Sequence, residues 1–169
     1  MAADQPDETS TKRPTSNAVI QHAIAIQQGR APLPPIAQFL GLRLTEVRAG
    51  EVSMTLDADE RYANPVGALH GGILCDLGDA AMGTAFATTC EDGQSYATIE
   101  IKCNFLRPVW KAHLTARAKV IHRGKTLGLA ECEIVDEQQR LIAKLSSTLM
   151  VLSGERASNR IVDHSTFSS

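Results

Sequence analysis

The sequence lacks an excess of charge of either sign, an apolar run long enough to cross a bilayer, any paired-cysteine spacing and any internal repeat. Each absence removes a class of function. With 17 basic against 19 acidic residues the net charge is -2, so nucleic acid is not an expected partner. No apolar stretch approaches the roughly 18 residues that a membrane span needs. Asp4, Asp7 and Glu8 precede any hydrophobic run, unlike a secretory or transit peptide. Cys75, Cys90, Cys103 and Cys132 show neither CxxC pairing nor zinc spacing and sit within apolar patterns. They are expected to be reduced core thiols of a cytoplasmic protein. What is present is 169 residues, 43% hydrophobic and 21% charged, enough for one globular domain with a real core.

Residues 1–16 are polar and predict a disordered tail. Residues 17–41 predict a helical segment: Asn17 can cap a helix running to about Gln28, with Val19, Ile20, Ala23, Ile24 and Gln27 at helical spacing. After the proline-rich piece from Pro32, Pro35 opens a short turn, Ile36 to Leu40, which Gly41 stops. The alternating runs Leu42 to Val47 and Glu51 to Leu56, across Ala49-Gly50, predict a hairpin. A loop, 57–69, leads to an apolar helix-length run, Ile73 to Thr89. Four strands are expected after it, Tyr96 to Leu106, Leu114 to Ile121, Leu127 to Val135 and Leu141 to Leu152, and then a loose polar tail over 153–169. Hairpin, long helix and four strands joined by tight turns make an α+β domain over 42–152, an antiparallel sheet packed on one helix. A sheet with one helix to cover it favours association through its edges.

Chemistry gathers between Asn64 and Gly83. His70-Gly71-Gly72 stands where the helix must leave backbone N–H groups without partners, a place suited to an anion or a forming oxyanion. A simple turn into a core helix reads the same way. Gly72, Asp76, Asp79 and Gly83 recur at spacings of four, three and four and share one helix face. If that face is buried, a carboxylate on it needs a partner, a ligand or a role as a base; on an amphipathic surface helix it would simply meet solvent. Gly93-Gln-Ser95-Tyr-Ala97 falls short of a nucleophile elbow, because strand-like residues follow the serine. Gly124-Lys125-Thr126 lacks the first glycine and the helix of a phosphate loop and reads as a hairpin turn. Its neighbours His122, Arg123 and Lys125, with Arg107, either grip phosphates as point charges or face solvent. His70 with Asp76 or Asp79 offers too few oxygens for a hard metal ion, and no metal is expected.

The stretch Asn64 to Asp79, with Phe105-Leu-Arg-Pro108 and Arg123-Gly-Lys-Thr126, resembles the hotdog-fold acyl-CoA thioesterases of the phenylacetate-pathway type, and is similar also to the thioesterase superfamily member 2 group. The resemblance covers about residues 36 to 152. It implies a sheet wrapped around one long central helix and hydrolysis of an acyl-CoA to free acid and CoA, with an aryl-acetyl, aromatic or medium-chain acyl group. By resemblance, Asp79 matches the general base or nucleophile, Gly71 the backbone donor to the thioester oxygen, and Asn64 a polar residue near the reacting carbonyl. His70 matches the helix-entry histidine, and Thr98 a hydroxyl that positions the attacking water. His122, Arg123, Gly124, Lys125, Thr126 and Leu127 match the hairpin that holds the CoA nucleotide, with Phe105 and Arg107 beside the same groove. Gly72, Asp76, Met82 and Gly83 are expected to border the acyl pocket, with Asp76 and Gly83 at positions where relatives carry other residues. No cofactor is implied, since CoA belongs to the substrate.

Gly71 and Asp79 are eight residues apart, about 12 Å along a helix axis, too far to meet one carbonyl when reacting atoms must approach within roughly 3 to 3.5 Å. Two antiparallel copies solve this by facing the donor of one with the acid of the other. A homodimer is therefore the expected minimum unit, and the resemblance adds a tetramer built as a dimer of dimers. A thiolate leaving group of pKa about 8 to 9 needs no strong acid, so one base, one water and oxyanion donors suffice. The same fold could instead serve a hydratase or dehydratase on acyl thioesters, or a regulator that binds acyl-CoA without turnover.

Overall fold

The structure, a computed structural model, describes residues 17–158; the tail expected over 1–16, and everything after 158, lie outside that range. Two short helices, α1 (Asn17–Gln27) and α2 (Pro35–Leu40), precede the hairpin β1 (Arg43–Arg48) and β2 (Glu51–Ala58). The long helix α3 (Gly71–Ala87) is followed by β3 (Gln94–Phe105), β4 (Ala112–Arg123), β5 (Leu127–Val135) and β6 (Leu141–Ser153), and a helical turn, α4 (Glu155–Ser158), opens the segment expected to be a loose tail. The capping role expected of the Asn17 side chain lies outside the described residues. Gly41 ends α2 at φ 70°, a left-handed conformation that glycine adopts without steric cost.

The six strands form one antiparallel sheet in the order β1-β2-β4-β5-β6-β3. This is the expected hotdog architecture. Helix α3 lies against the inner face, and Leu77, Ala81, Met82, Ala85 and Phe86 are fully buried beneath it. Each large apolar side chain so buried contributes about 1.5–3 kcal/mol. Glycines set how closely helix and sheet approach. A Cβ at Gly78 would stand 2.5 Å from Leu145 Cδ2, and one at Gly128 would overlap the Phe86 ring. Thr88, fully buried, fixes the hairpin to the end of the helix by accepting from Gly50 N–H at 2.8 Å while donating to the Ala85 carbonyl at 2.6 Å.

Two irregularities matter for the site. The pairing register shifts between Thr98 and Glu100 in β3, and between Val120 and His122 in β4. Such a bulge adds one residue to a strand and exchanges which alternate side chains face the core. In β3, Tyr96 packs inward before the shift, and Ile101 and Cys103 pack inward after it, leaving Ile99 half exposed. In β4, Leu114, Ala116 and Ala118 face inward, Ile121 is exposed, and Arg123 turns in. All four cysteines are free; Cys90 and Cys132 are buried, whereas Cys75 and Cys103 are half-buried. Among the described residues, no helix is long and apolar enough to cross a membrane.

Candidate active site

The approach to α3 is held by backbone before any side chain acts. Leu69 N–H donates to the Val109 carbonyl at 2.7 Å and His70 N–H to the Tyr62 carbonyl at 2.8 Å, while the Tyr62 hydroxyl donates to Leu40 O at 2.6 Å. Asn64 Oδ1 accepts from Val66 N–H at 3.0 Å and Ala68 N–H at 3.2 Å. Asn64 thus shapes the turn into the helix, and its amide nitrogen is the part of the side chain left for a ligand.

His70 is the N-cap of α3: its Nδ1 accepts from Gly72 N–H at 3.0 Å, so one of the helix's orphan donors is taken. Gly71 N–H has no acceptor among the described residues. A Cβ at Gly71 would lie 3.0 Å from the Phe105 ring, so Phe105 covers the helix entry from the end of β3. Gly72 is committed to the cap, with its own Cβ position 2.9 Å from His70 Nδ1.

Two turns further on, Asp79 is half-buried and Asp76 exposed. Thr98 Oγ1 donates to Asp79 Oδ1 at 3.0 Å, from the same face of β3 as the inward-packed Tyr96 two residues before it. Asp76 and Asp79 line a cavity of about 360 Å³ together with Ala80, Thr84, Tyr96 and residues of α1 and α2. Tyr96, which sequence reasoning passed over, stands beside Asp79. Its ring packs edge-on against Phe86 at 6.0 Å, and burial, with the Asp79 charge adding to it, pushes its phenol up to about 12. Its position after Gly93 in the weighed elbow motif was the available signal.

Several expected site residues are placed elsewhere. Met82 is fully buried in the core and Gly83 lies under the Tyr96 hydroxyl, 2.5 Å from where a Cβ would be. Neither they nor Gly72 line the cavity. Arg123 does not point at solvent: its guanidinium sits 5.1 Å over the Phe86 ring, donates to Gln94 Oε1 at 2.8 Å and to the Gly124 carbonyl, and its Nε is buried without an acceptor. At the hairpin tip, Gly124 N–H donates to the Leu127 carbonyl at 2.8 Å and the Thr126 carbonyl accepts from Val151 N–H at 2.8 Å, leaving His122, Lys125 and Leu127 exposed. Arg107 lies just before β4 and the hairpin just after it, separated by a 12-residue strand of roughly 36 Å. One chain cannot bring both to the same phosphate. Among the described residues, no three His, Cys, Asp or Glu side chains gather to hold a metal ion.

Comparison with known proteins places this geometry in context. The model of the thioesterase superfamily matches residues 66–143. The chain is 36% identical over 110 residues to the acyl-coenzyme A thioesterase PaaI of Escherichia coli, covering 63% of this chain and 75% of that one. It is 28% identical over 116 residues to the 1,4-dihydroxy-2-naphthoyl-CoA hydrolase of Listeria monocytogenes, covering 69% and 94%. Among solved structures, the E. coli PaaI protein superimposes with a TM-score of 0.71 at 26% identity, covering 81% of this chain and 98% of that one. A thioesterase family protein from Silicibacter pomeroyi gives 0.70 at 29%, covering 78% and 99%.

Proposed function

The chain belongs to the thioesterase superfamily and is a thioester hydrolase, and from that premise we propose that it cleaves acyl-CoA to a free acid and CoA with Asp79 as general base or nucleophile. The observation that carries this reading is the Asp79 carboxylate, half-buried at the wall of an apolar cavity and oriented by the Thr98 hydroxyl at 3.0 Å. Thr98 occupies Oδ1, which leaves Oδ2 to take a proton from water or to attack. The acyl carbon then becomes tetrahedral, its oxyanion is met by an unpartnered helix-entry N–H, and the CoA thiolate departs without an acid. In the base route the acid is then free and Asp79 returns its proton to solvent; in the nucleophilic route water hydrolyses the Asp79 acyl anhydride to release the acid.

The donor comes from a second copy. Among the described residues, strand β3 is an edge of 12 residues with one side unpaired, a surface that invites strand addition. Asp79 lies by Thr98 and Gly71 by Phe105. If two β3 strands pair antiparallel with Thr98 opposite Phe105, the acid of each subunit faces Gly71 of the partner subunit. The same pairing brings the Gln94 end of one β3, where Arg123 is tied, to the Phe105 end of the other, where Arg107 follows. Lys125 and His122 of one copy and Arg107 of the other then flank a single CoA groove, with two such sites per dimer. A dimer of dimers is the further assembly.

Thiol release from acyl-CoA substrates tests the assignment. Asp79→Asn is expected to lower turnover by a factor of about 10² to 10⁴ in a chain that still unfolds cooperatively; wild-type turnover in that variant would remove Asp79 from the reaction. Mixing Asp79→Asn chains with Gly71→Ala chains is expected to recover activity through heterodimers that keep one intact site, and no recovery would refute sites shared between subunits.

A further inference from the structure

The cavity beside Asp79 is closed by the chain's N-terminal segment, which precedes the matched region 66–143. Val19, His22, Ala23 and Ile26, one face of α1 at helical spacing, form its roof with Leu33 and Ala37. Its floor runs along α3 from Asp79 through Ala80 and Thr84 to Ala87. The one hydroxyl on that floor, Thr84 Oγ1, donates to the Ala80 carbonyl at 2.7 Å, so the floor presents no unsatisfied donor to a ligand. Carboxylates stand at the Asp76 and Asp79 end, and the flat side chains of the lining are Tyr96 and the His22 imidazole in the roof.

Resting on the acyl-CoA reading above, we infer that residues 19–37 are the specificity element of this enzyme, roofing a slot that takes a straight saturated acyl chain of about ten carbons. Two measures agree on that length. Asp79 to Ala87 spans about 12 Å of helix, and an extended alkyl chain advances roughly 1.3 Å per carbon, which gives about nine. The cavity volume is about 360 Å³; if a methylene takes about the room of a water, some 30 Å³, that volume admits about twelve. A slot with small side chains above and below, Ala23 and Ala37 against Ala80 and Ala87, suits a flexible narrow chain. An aromatic acyl group would call for flat surfaces on both flanks along its length, whereas the lining offers one benzenoid ring, Tyr96, and one imidazole, His22, among mostly aliphatic side chains.

The test is a ladder of saturated acyl-CoAs from butanoyl to hexadecanoyl, with phenylacetyl-CoA beside it, read by thiol release. The wild-type optimum is expected near decanoyl. A phenyl ring at position 23 displaces at least three chain carbons, each worth about fourfold in partition. Ala23→Phe is therefore expected to lower the decanoyl-to-butanoyl ratio of kcat/KM by about a hundredfold and move the optimum to shorter chains. Ile26→Ala, which only removes atoms, is expected to move it to longer ones and keeps the test decisive if Ala23→Phe does not unfold cooperatively. An optimum unmoved by the folded variants, or phenylacetyl-CoA preferred to every saturated chain, overturns the inference. Asp79→Asn run on the same ladder separates the two failures: loss of all turnover upholds the reaction whatever the chain-length result, and retained turnover refutes the reaction itself.

Discussion

Adding one methyl group at either of two positions on α3 separates the chemistry from the folding. At Gly71 the new Cβ would lie 3.0 and 3.1 Å from two Phe105 ring carbons. That ring is 55% exposed and can swing by the few tenths of an ångström required. Alanine is the better helix former by up to about 1 kcal/mol in an interior turn and less at the first position, so gain and crowding nearly cancel. The melting temperature of Gly71→Ala is expected to stay within about 2 °C of wild type. Its turnover is expected to fall roughly tenfold to a hundredfold, because the methyl stands beside the N–H assigned to the thioester oxygen. At Gly78 the Cβ would lie 2.5 Å from Leu145 Cδ2, a side chain 1% exposed with nowhere to go. Overpacking of this kind costs about 1–3 kcal/mol, of which the better helix propensity of alanine returns up to about 1 kcal/mol, so the melting temperature of Gly78→Ala is expected to drop by up to roughly 6 °C, with kcat retained below the transition. Thermal unfolding and thiol release on both variants decide the matter. Wild-type kcat/KM in Gly71→Ala would refute the oxyanion assignment, and a melting temperature raised in Gly78→Ala would refute the packing argument.

Thr98→Val keeps the shape of the side chain and deletes the donor to Asp79, a charge-assisted bond worth a factor of about ten to a hundred; kcat is expected to fall by that much with KM little changed, Thr98→Ser to restore most of it, and an equal loss in both variants would contradict the hydrogen-bond account. Asp136 is 2% exposed; burial pushes its carboxyl upward, but the Arg140 N–H and guanidinium and the Gln138 N–H outweigh that and hold it below the ordinary value. A lowered carboxyl stabilises the fold above the unfolded pKa of about 3.9 and loses that contribution as pH falls through the folded one. Thermal stability should therefore fall below about pH 4, less steeply in Asp136→Asn, and identical acid limbs would contradict the assignment. At the other extreme, burial pushes the Cys132 thiol up to about 12, so stability that is complete below about pH 8.5 is expected to decline as pH rises towards 12, and Cys132→Ala should flatten part of that decline.

Strands, hairpin and central helix were legible because each carries its period in the residues that meet the core, as in β5, where Gly128, Ala130, Cys132 and Ile134 alternate inward. The helix entry was legible too, since His70-Gly71-Gly72 ahead of an apolar run marks it locally, although the capping of Gly72 N–H by His70 was not. What pattern could not supply was side-chain direction at the two bulges. Ile99, Ile101 and Cys103 alternate in sequence and place Thr98 outward by simple parity, yet Tyr96 and Thr98 face the helix ahead of the register shift, and only after it do Ile101 and Cys103 turn inward, with Ile99 left exposed. The corresponding shift in β4 turns Arg123 onto Phe86, and a basic turn motif cannot reveal that. Met82 packs in the core rather than along the cavity, which pattern could not show because α3 is apolar on most sides and hides the face that meets the core. The cavity roof escaped notice because residues 17–41 are far from Asp79 along the chain and join it only through packing.

Among the described residues, strand β3 has a single neighbour within the subunit, β6, whose paired residues lie 38 positions downstream for Phe105 with Ala143 and 59 for Gln94 with Ser153. A nascent polypeptide that ends before residue 141 therefore has Asp79 and Thr98 already synthesised but no ladder to seat the second of them. Competence arises only once β6 is translated, and termination between β5 and β6 yields a species exposing the flank of β5, a substrate for quality control rather than a weaker enzyme.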